Sequence, residues 1–281
     1  MKKTLIAFIS LAGMAAASTP TVTKVAEWNG FSTLTQSGYT LSLTEGQASV
    51  DANGVLSVTH SSNAPTALID MSAAGLTMDN GLTISITLSN VAIEGGNDKN
   101  PANFFGFSTL DSANATRNED FAFSAGFDVN STPAKRQYSL AYDGSGDGVN
   151  DKRSERVPVN PQDLTEGYIE PTTDTPVTIT LTILDDDVVY YLNGKEILTT
   201  TLVLVGDNPR ADLTAEQITN FGIGSWAGST ANSRSSVKVY DFAIYNGAMN
   251  AEQVAALIPE PTTATLSLLA LAGLAVRRRR K

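Results

Sequence analysis

The chain has 281 residues, no cysteine, a single histidine and a formal net charge of −10 at pH 7. The lack of cysteine excludes disulfides and thiolate zinc sites, and the acidic charge argues against binding to nucleic acid. His60 follows an alternating segment, and we interpret it as a polar strand-end residue, because catalysis would require a positioned nucleophile and an orienting group.

The N-terminus predicts a secretory signal peptide over residues 1–17. Two lysines follow Met1, residues 4–17 are apolar, and Ala15 and Ala17 place small side chains at the expected cleavage site. The alternative is a buried N-terminal helix, but the order of basic, apolar and small residues is that of a signal peptide. We therefore expect export across the inner membrane and a mature protein that begins at Ser18.

Residues 18–258 form the predicted functional body, and their number suits one all-β domain. The chain has 19 basic and 29 acidic residues. Residues 1–17 and 259–281 together hold seven of the basic residues and one of the acidic residues, so the body has a net charge of about −16. Alternation of apolar and polar residues predicts antiparallel strands within residues 82–88, 121–127, 138–142 and 177–183. Asn193 and Gly194 predict a type I′ turn in a hairpin over residues 188–198. Segments 92–102, 143–176 and 205–217 are predicted to be irregular.

The start of segment 143–176 contains a candidate calcium loop. Asp143, Ser145, Asp147 and Asp151 supply oxygens at positions 1, 3, 5 and 9 of a loop that has glycine at position 6. Serine at position 3 and the lack of glutamate at position 12 exclude an EF-hand. Two interpretations stay open, a β-loop calcium site and a metal-free turn rich in glycine and aspartate.

Aromatic side chains are the candidate sugar platforms, because a flat ring can cover the apolar face of a pyranose. Trp28 lies in an early strand and is predicted to be core. Trp226 lies at a strand end with glycines on both sides, and Tyr168 lies in the long segment 143–176. We predict that Trp226 and Tyr168 contact the glycan.

Residues 236–247 predict a closing strand followed by a short helix. Alternation places Asp241 on the same face as Val237 and Val239, and Phe242 on the opposite face. Asn250 is a suitable N-cap for the helix, with Gln253 at the N3 position of a capping box.

This ending resembles the LamG-like, concanavalin A-like domains, in which a closing strand runs into a helical turn. The hairpin over residues 189–195 and the strand over residues 221–224 are similar to two further elements of that family. The residues that match the closing motif are Asp241, Phe242, Ile244, Tyr245, Asn246, Met249, Glu252, Val254 and Leu257. The resemblance implies an all-β, two-sheet antiparallel jelly-roll sandwich. Lectins, adhesion modules and glycosidases all use such folds, so the fold does not decide the function.

The sequence lacks the paired acids of jelly-roll glucanases. Their carboxylates occur on one strand as E-x-D-x-x-E or E-x-D-x-E, and no segment has that spacing. Neighbouring acids such as Glu119 and Asp120 would point to opposite faces of a strand. A non-catalytic protein is therefore favoured, although a hydrolase or lyase with acids far apart in sequence stays open.

The C-terminus predicts a sorting and anchor segment over residues 259–281. Pro259-Glu260-Pro261 precedes an apolar run, residues 262–276, and five cations end the chain. As a helix the run reaches ~22 Å, and tilt, bilayer thinning and snorkelling can compensate for a hydrocarbon core of ~30 Å. The arrangement resembles the PEP-CTERM signal, which implies an exosortase-type transpeptidase as partner and a cell-envelope or extracellular location.

Together these patterns predict an exported, envelope- or exopolysaccharide-associated protein that binds carbohydrate or a cell surface without catalysis, with calcium as candidate cofactor. The alternatives are a structural envelope protein without a specific ligand and a glycoside hydrolase or lyase.

Overall fold

A computed structural model describes residues 21–59, 65–94, 102–108, 123–128, 137–143, 152–158, 176–185, 187–201, 218–226 and 234–258. Across these ranges the chain forms sixteen strands, a 3-10 turn at Ser72–Ala74 and one helix. No helix in these ranges combines the length and apolarity needed to cross a bilayer.

The strands and the helix are, in chain order, β1 Thr23–Asn29, β2 Thr35–Gln36, β3 Tyr39–Leu43, β4 Ala48–Val50, β5 Leu56–Thr59, β6 Pro65–Asp70, β7 Leu82–Glu94, β8 Ala102–Ser108, β9 Phe123–Asp128, β10 Gln137–Asp143, β11 Lys152–Pro158, β12 Val177–Leu184, β13 Asp187–Leu192, β14 Lys195–Thr201, β15 Asn220–Trp226, β16 Arg234–Asn246 and α1 Ala251–Leu257.

The described strands form two antiparallel sheets of eight strands each. The first sheet has the order β14-β13-β12-β7-β16-β5-β4, and β1 pairs with the second half of β16. The second sheet has the order β11-β10-β9-β8-β15-β6-β3-β2. This arrangement confirms the predicted all-β sandwich.

The hydrophobic core lies between the two sheets. Leu82, Ile84 and Ile86 of β7 are fully buried, as alternation along this strand predicts. Phe221 of the second sheet meets Phe242 of the first with ring centroids 5.2 Å apart. Each such side chain stabilises the fold by about 1.5–3 kcal/mol when it leaves water, so these apolar faces hold the sheets together.

Three local predictions are confirmed. Trp28 is fully buried and stacks on Phe242 at 4.7 Å. Asn193 and Gly194 have φ values of 47° and 78°, as a type I′ turn requires. Asn250 and Gln253 form the capping box of α1, with both hydrogen bonds at 2.9 Å.

The prediction that segments 92–102 and 143–176 are irregular was wrong at two places. Strand β11, Lys152–Pro158, lies inside segment 143–176 and pairs with β10. It is the edge strand of the second sheet, and its charged sequence lacks apolar alternation, as is common where an edge must resist further pairing. Strand β7 also continues to Glu94, three residues into segment 92–102, because its far end pairs with β16.

The predicted faces of β16 were also wrong beyond Val239. A bulge places Val239 and Asp241 opposite consecutive residues of β7, Leu88 and Thr87, so that Tyr240 is an extra residue. Because of this extra residue, the core positions change from Val237 and Val239 to Phe242 and Ile244. Asp241 is thereby turned out of the core to the outer face of the first sheet, as bulges commonly re-aim a side chain.

Candidate functional site

Most of the site residues predicted from sequence cannot be compared with the structure. Ser145, Asp147, Asp151 and Tyr168 lie outside the described residues, and so does His60.

Two further predicted site residues are placed by their backbone only. Asp143 ends β10 opposite Lys152 of β11, and Trp226 ends β15 opposite Ala102 of β8. The calcium and sugar assignments therefore stay predictions. Within the ranges described above, no three acidic or histidine side chains come close enough to hold a metal ion.

The clearest polar cavity among the described residues is a groove of about 310 Å³ on the outer face of the first sheet. Strand β1 contributes Glu27 and Asn29, and the end of α1 contributes Leu257. Residues of β7, β12 and β16 line the rest, namely Ser85, Thr87, Thr178, Asp241, Phe242, Ala243 and Tyr245. We call this cavity the outer groove.

Hydroxyl groups connect the strands beneath the outer groove. The hydroxyls of Ser85 and Thr180 are 3.1 Å apart, and those of Thr87 and Thr178 are 3.0 Å apart. Thr87 also acts as a hydrogen-bond partner that lowers the pKa of the Asp241 carboxyl. Hydroxyl groups can both donate and accept, so these side chains connect strands β7, β12 and β16.

Burial raises the pKa of the Asp241 carboxyl above its ordinary value. The hydrogen bond from Thr87 opposes this shift, and the negative charge of Glu27 adds to it. The groove therefore holds a carboxyl group that is partly removed from water and whose charge is incompletely compensated.

Glu27 lies at the side of the outer groove in an ion pair with Lys24, at 2.6 Å. Residues three apart on a regular strand face opposite sides, but a bulge between Lys24 and Ala26 brings the two charges to one face. The hydrogen bond to Glu27 is the main cause that raises the pKa of Lys24.

Tyr245 provides an aromatic and hydroxyl surface beside these charges. The Lys24 ammonium lies 5.8 Å from the centre of the Tyr245 ring. The pKa of Tyr245 is raised mainly by burial. The charge of Lys24 opposes this shift, and the charges of Glu27 and Asp241 add to it. The phenol therefore stays protonated at neutral pH and can both donate and accept a hydrogen bond.

A second cavity, of about 410 Å³, lies near the start of α1 and has a more apolar lining. It includes Val189, Tyr191, Met249 and the exposed Leu184, with Asp185 and Asp187 also present. The outer groove has more hydrogen-bonding groups and suits a polar ligand better.

Sequence reasoning missed the outer groove, although one signal of it is visible. Apolar residues occupy 237 and 239 and then 242 and 244, so the alternation slips by one residue next to Asp241. A slip of this kind indicates a bulge, and the polar residue beside it is then a candidate for an exposed role.

The comparisons with known proteins give structural likeness alone. No family model and no curated protein matches the chain. A structure of botulinum neurotoxin type C, whose description concerns two ganglioside molecules in cell entry, has a TM-score of 0.52 and 13% identity over 84% of this chain and 50% of its own.

Two other structures are similar to the same extent. The binding domain of botulinum neurotoxin DC with SialylT has a TM-score of 0.53 and 13% identity, over 84% of this chain and 51% of its own. The same toxin's binding domain with rat synaptotagmin II has a TM-score of 0.51 and 13% identity, over 83% of this chain and 50% of its own. The chain thus spans about half the length of these neighbours, and the likeness supports the β-sandwich fold.

Proposed function

We propose that the chain is an exported, non-catalytic carbohydrate-binding protein of the cell envelope or the exopolysaccharide layer, with a LamG-like domain that binds glycan in the outer groove. The observation that carries this proposal is the lining of the groove. Hydroxyls, an amide, two carboxyl groups and a tyrosine converge in one concave site. Sugars present closely spaced hydroxyl groups that need both donors and acceptors, and sites for small ligands combine a concave shape with a few such polar groups.

The structural neighbours support the same class of function. Two of them are described with gangliosides or with SialylT, and one with rat synaptotagmin II. A fold alone does not fix a ligand, so the argument for glycan depends on the groove itself.

A glycan array with the full-length chain tests the proposal. Asn29→Ala removes an exposed amide from the outer groove, and Asn53→Ala removes an exposed amide from the turn between β4 and β5. We expect the unchanged protein and Asn53→Ala to bind the same glycans, and Asn29→Ala to bind them about tenfold more weakly. Equal binding by both variants would place the glycan elsewhere, and no binding by any of the three would contradict the function.

The cellular setting and the calcium requirement are parts of this proposal that depend on the sequence. The signal peptide at residues 1–17 and the PEP-CTERM segment at residues 259–281 support export and anchoring by an exosortase-type enzyme. Fractionation of cells that express the full-length chain tests this part, and intact protein in the cytosol would contradict it.

Calcium assistance through Asp143, Ser145, Asp147 and Asp151 has its own test. Calcium should raise the melting temperature of the full-length chain relative to the chelated protein, and Asp147→Asn should reduce that rise. An unchanged melting temperature would remove calcium from the proposal.

Glycoside hydrolysis is a second candidate function, favoured by the positions of Glu27 and Asp241. Glu27 pairs with Ala243 and Asn29 pairs with Asp241, so the two acids are diagonal neighbours on β1 and β16. The backbones of diagonal neighbours lie about 7–8 Å apart, so the two carboxyl groups are within reach of a sugar bound between them. The raised pKa of Asp241 suits a general acid, and Glu27 would act as the base.

Reducing-sugar release separates this second function from plain binding. A hydrolase should lose activity in both Asp241→Asn and Glu27→Gln but keep it in Asp79→Asn, which changes an exposed acid outside the groove. Binding without any release of reducing ends would exclude it.

A further inference from the structure

The Asp241 carboxyl has unused hydrogen-bonding capacity in the outer groove. It is half-buried and lines the groove, and Thr87 is its hydrogen-bond partner among the described residues. An ionised carboxylate offers about four lone-pair positions, so most of its acceptor capacity faces other groups. Because this carboxyl is partly buried, a ligand that donates to it would relieve an unfavourable desolvation.

The charges around the outer groove decide which donor suits it. Glu27 and Asp241 both line the groove, and no lysine or arginine lines it among the described residues. Lys24 lies beside Tyr245 and is paired with Glu27 at 2.6 Å, so the groove keeps the negative charge of Asp241. A cationic donor would therefore meet a net negative surface, and a charged donor forms a stronger hydrogen bond than a hydroxyl does. An anionic sugar would face the like charge of Asp241.

We propose that the outer groove selects glycans that carry free amino groups, with Asp241 as the acceptor of the ammonium and Glu27 as a supporting charge. The ligand class is a polysaccharide or oligosaccharide of hexosamine in which some residues lack the N-acetyl group. This inference depends on the proposed carbohydrate-binding function, and it adds the chemical group that determines specificity.

Matched pairs of oligosaccharides test the inference. The probes are the free-amine and N-acetylated forms of glucosamine oligomers and of galactosamine oligomers, bound to the full-length chain with calcium and again with a chelator. The groove variants are Asp241→Asn, which keeps the shape of the side chain, and Glu27→Gln. The control variants are Asp79→Asn and Glu252→Gln, which remove the same charges from exposed positions outside the groove.

The unchanged protein should bind a free-amine oligomer about tenfold more tightly than its N-acetylated partner. Asp241→Asn should abolish that preference while it keeps the affinity for the N-acetylated form, and Glu27→Gln should reduce the preference. Both control variants should keep the full preference.

Four results would overturn the inference in different ways. A preference that survives in Asp241→Asn would exclude this carboxyl as the acceptor. An equal loss in Asp79→Asn would show a diffuse effect of the acidic surface. Equal binding of both forms by the unchanged protein would overturn the amine preference and leave the carbohydrate-binding function standing. If none of the proteins binds these oligomers while the glycan array gives positive results with other sugars, only the inferred amine selection is contradicted. An entirely negative array would contradict the proposed carbohydrate-binding function itself.

Discussion

The two faces of the first sheet are built from alternate residues of the same strands, and they have different tasks. On the inner face, Leu82, Ile84 and Ile86 of β7 pack against the second sheet. On the outer face, Thr83 supports the start of α1, and Ser85 and Thr87 line the outer groove. The inner face stabilises the sandwich, whereas the outer face provides hydrogen-bonding groups.

The outer face is not an ordinary solvated surface, although its residues are polar. Thr83 and Thr180 are fully buried, and Val254 of α1 packs nearby with Tyr191 and Tyr245. Buried hydroxyls must find partners, and here they bind one another and the backbone. The inner face therefore contributes packing energy, whereas the outer face contributes polar contacts.

The largest expected effect comes from the inner face. Ile86→Ala should lower the free energy of unfolding by about 2–5 kcal/mol, because it leaves a cavity beside Ile179 and Phe242. The neighbouring outer substitution, Thr87→Ala, should cost much less stability and should mainly weaken glycan binding. Urea unfolding and glycan titration of both variants measure the two effects, and equal losses of stability would contradict the division between the faces.

The sequence predicted the inner face well and the outer face only in part. A run such as residues 82–88 shows its alternation directly, so both sheet membership and the buried positions could be inferred. That the hydroxyl side would be covered could not be inferred, because a solvated strand face has the same pattern of Thr and Ser. The covering depends on the path of the chain after Gly247, which is a tertiary contact and not a local preference.

The second prediction concerns a fully buried hydroxyl of the outer face, that of Thr83. Thr83 donates to the backbone oxygen of Gly247 at 2.8 Å and accepts from the backbone nitrogen of Met249 at 2.9 Å. Thr83→Val keeps the shape but leaves both backbone groups without this partner, so stability should fall by about 1–3 kcal/mol. Thr83→Ser, which retains the hydroxyl, should recover most of the loss. If valine proves as stable as threonine, the outer face is held by packing alone.

A smaller effect is expected at the cap of α1. Asn250 accepts a hydrogen bond from the Gln253 backbone nitrogen at 2.9 Å. Asn250→Ala should lower stability by about 1 kcal/mol, and Asn250→Asp should retain most of it because aspartate is an equally good cap. Thermal unfolding of the three proteins measures this difference, and a neutral Asn250→Ala would show that α1 is fixed by its apolar contacts rather than by its cap.

The candidate site was harder to predict than the fold for a specific physical reason. The apolar positions of β16 and the cap at Asn250 follow local rules, whereas the outer groove joins residues from β1, β7, β12 and β16 that are far apart in sequence. Glu27 and Asp241 come together only because β1 pairs with the second half of β16 and because a bulge reverses the faces at Tyr240. No short sequence motif indicates such a pairing of strands, so motif spacing could not predict that these two acids lie close together.

The smallest expected effect is a dependence of stability on pH that comes from Asp241. It tests whether the charged Asp241 carboxyl destabilises the outer face, an effect that the apolar inner face lacks. Burial raises the pKa of this carboxyl in the folded protein, so the folded state binds its proton more tightly than the unfolded state does. Stability contributed by this group is therefore present at low pH and is lost as pH rises from the ordinary aspartate range through the raised pKa. Asp241→Asn cannot titrate, so its stability relative to the unchanged protein should increase across that interval and stay constant above it.

Glu27, Lys24 and Tyr245 are the charged or titratable neighbours of Asp241. Asp51 and Asp70, whose pKa values are lowered by hydrogen bonds, affect both proteins equally. Urea unfolding of the two proteins from about pH 3 to about pH 8 measures the difference, and a difference that does not change with pH would mean that the Asp241 carboxyl is as well solvated as an ordinary surface aspartate.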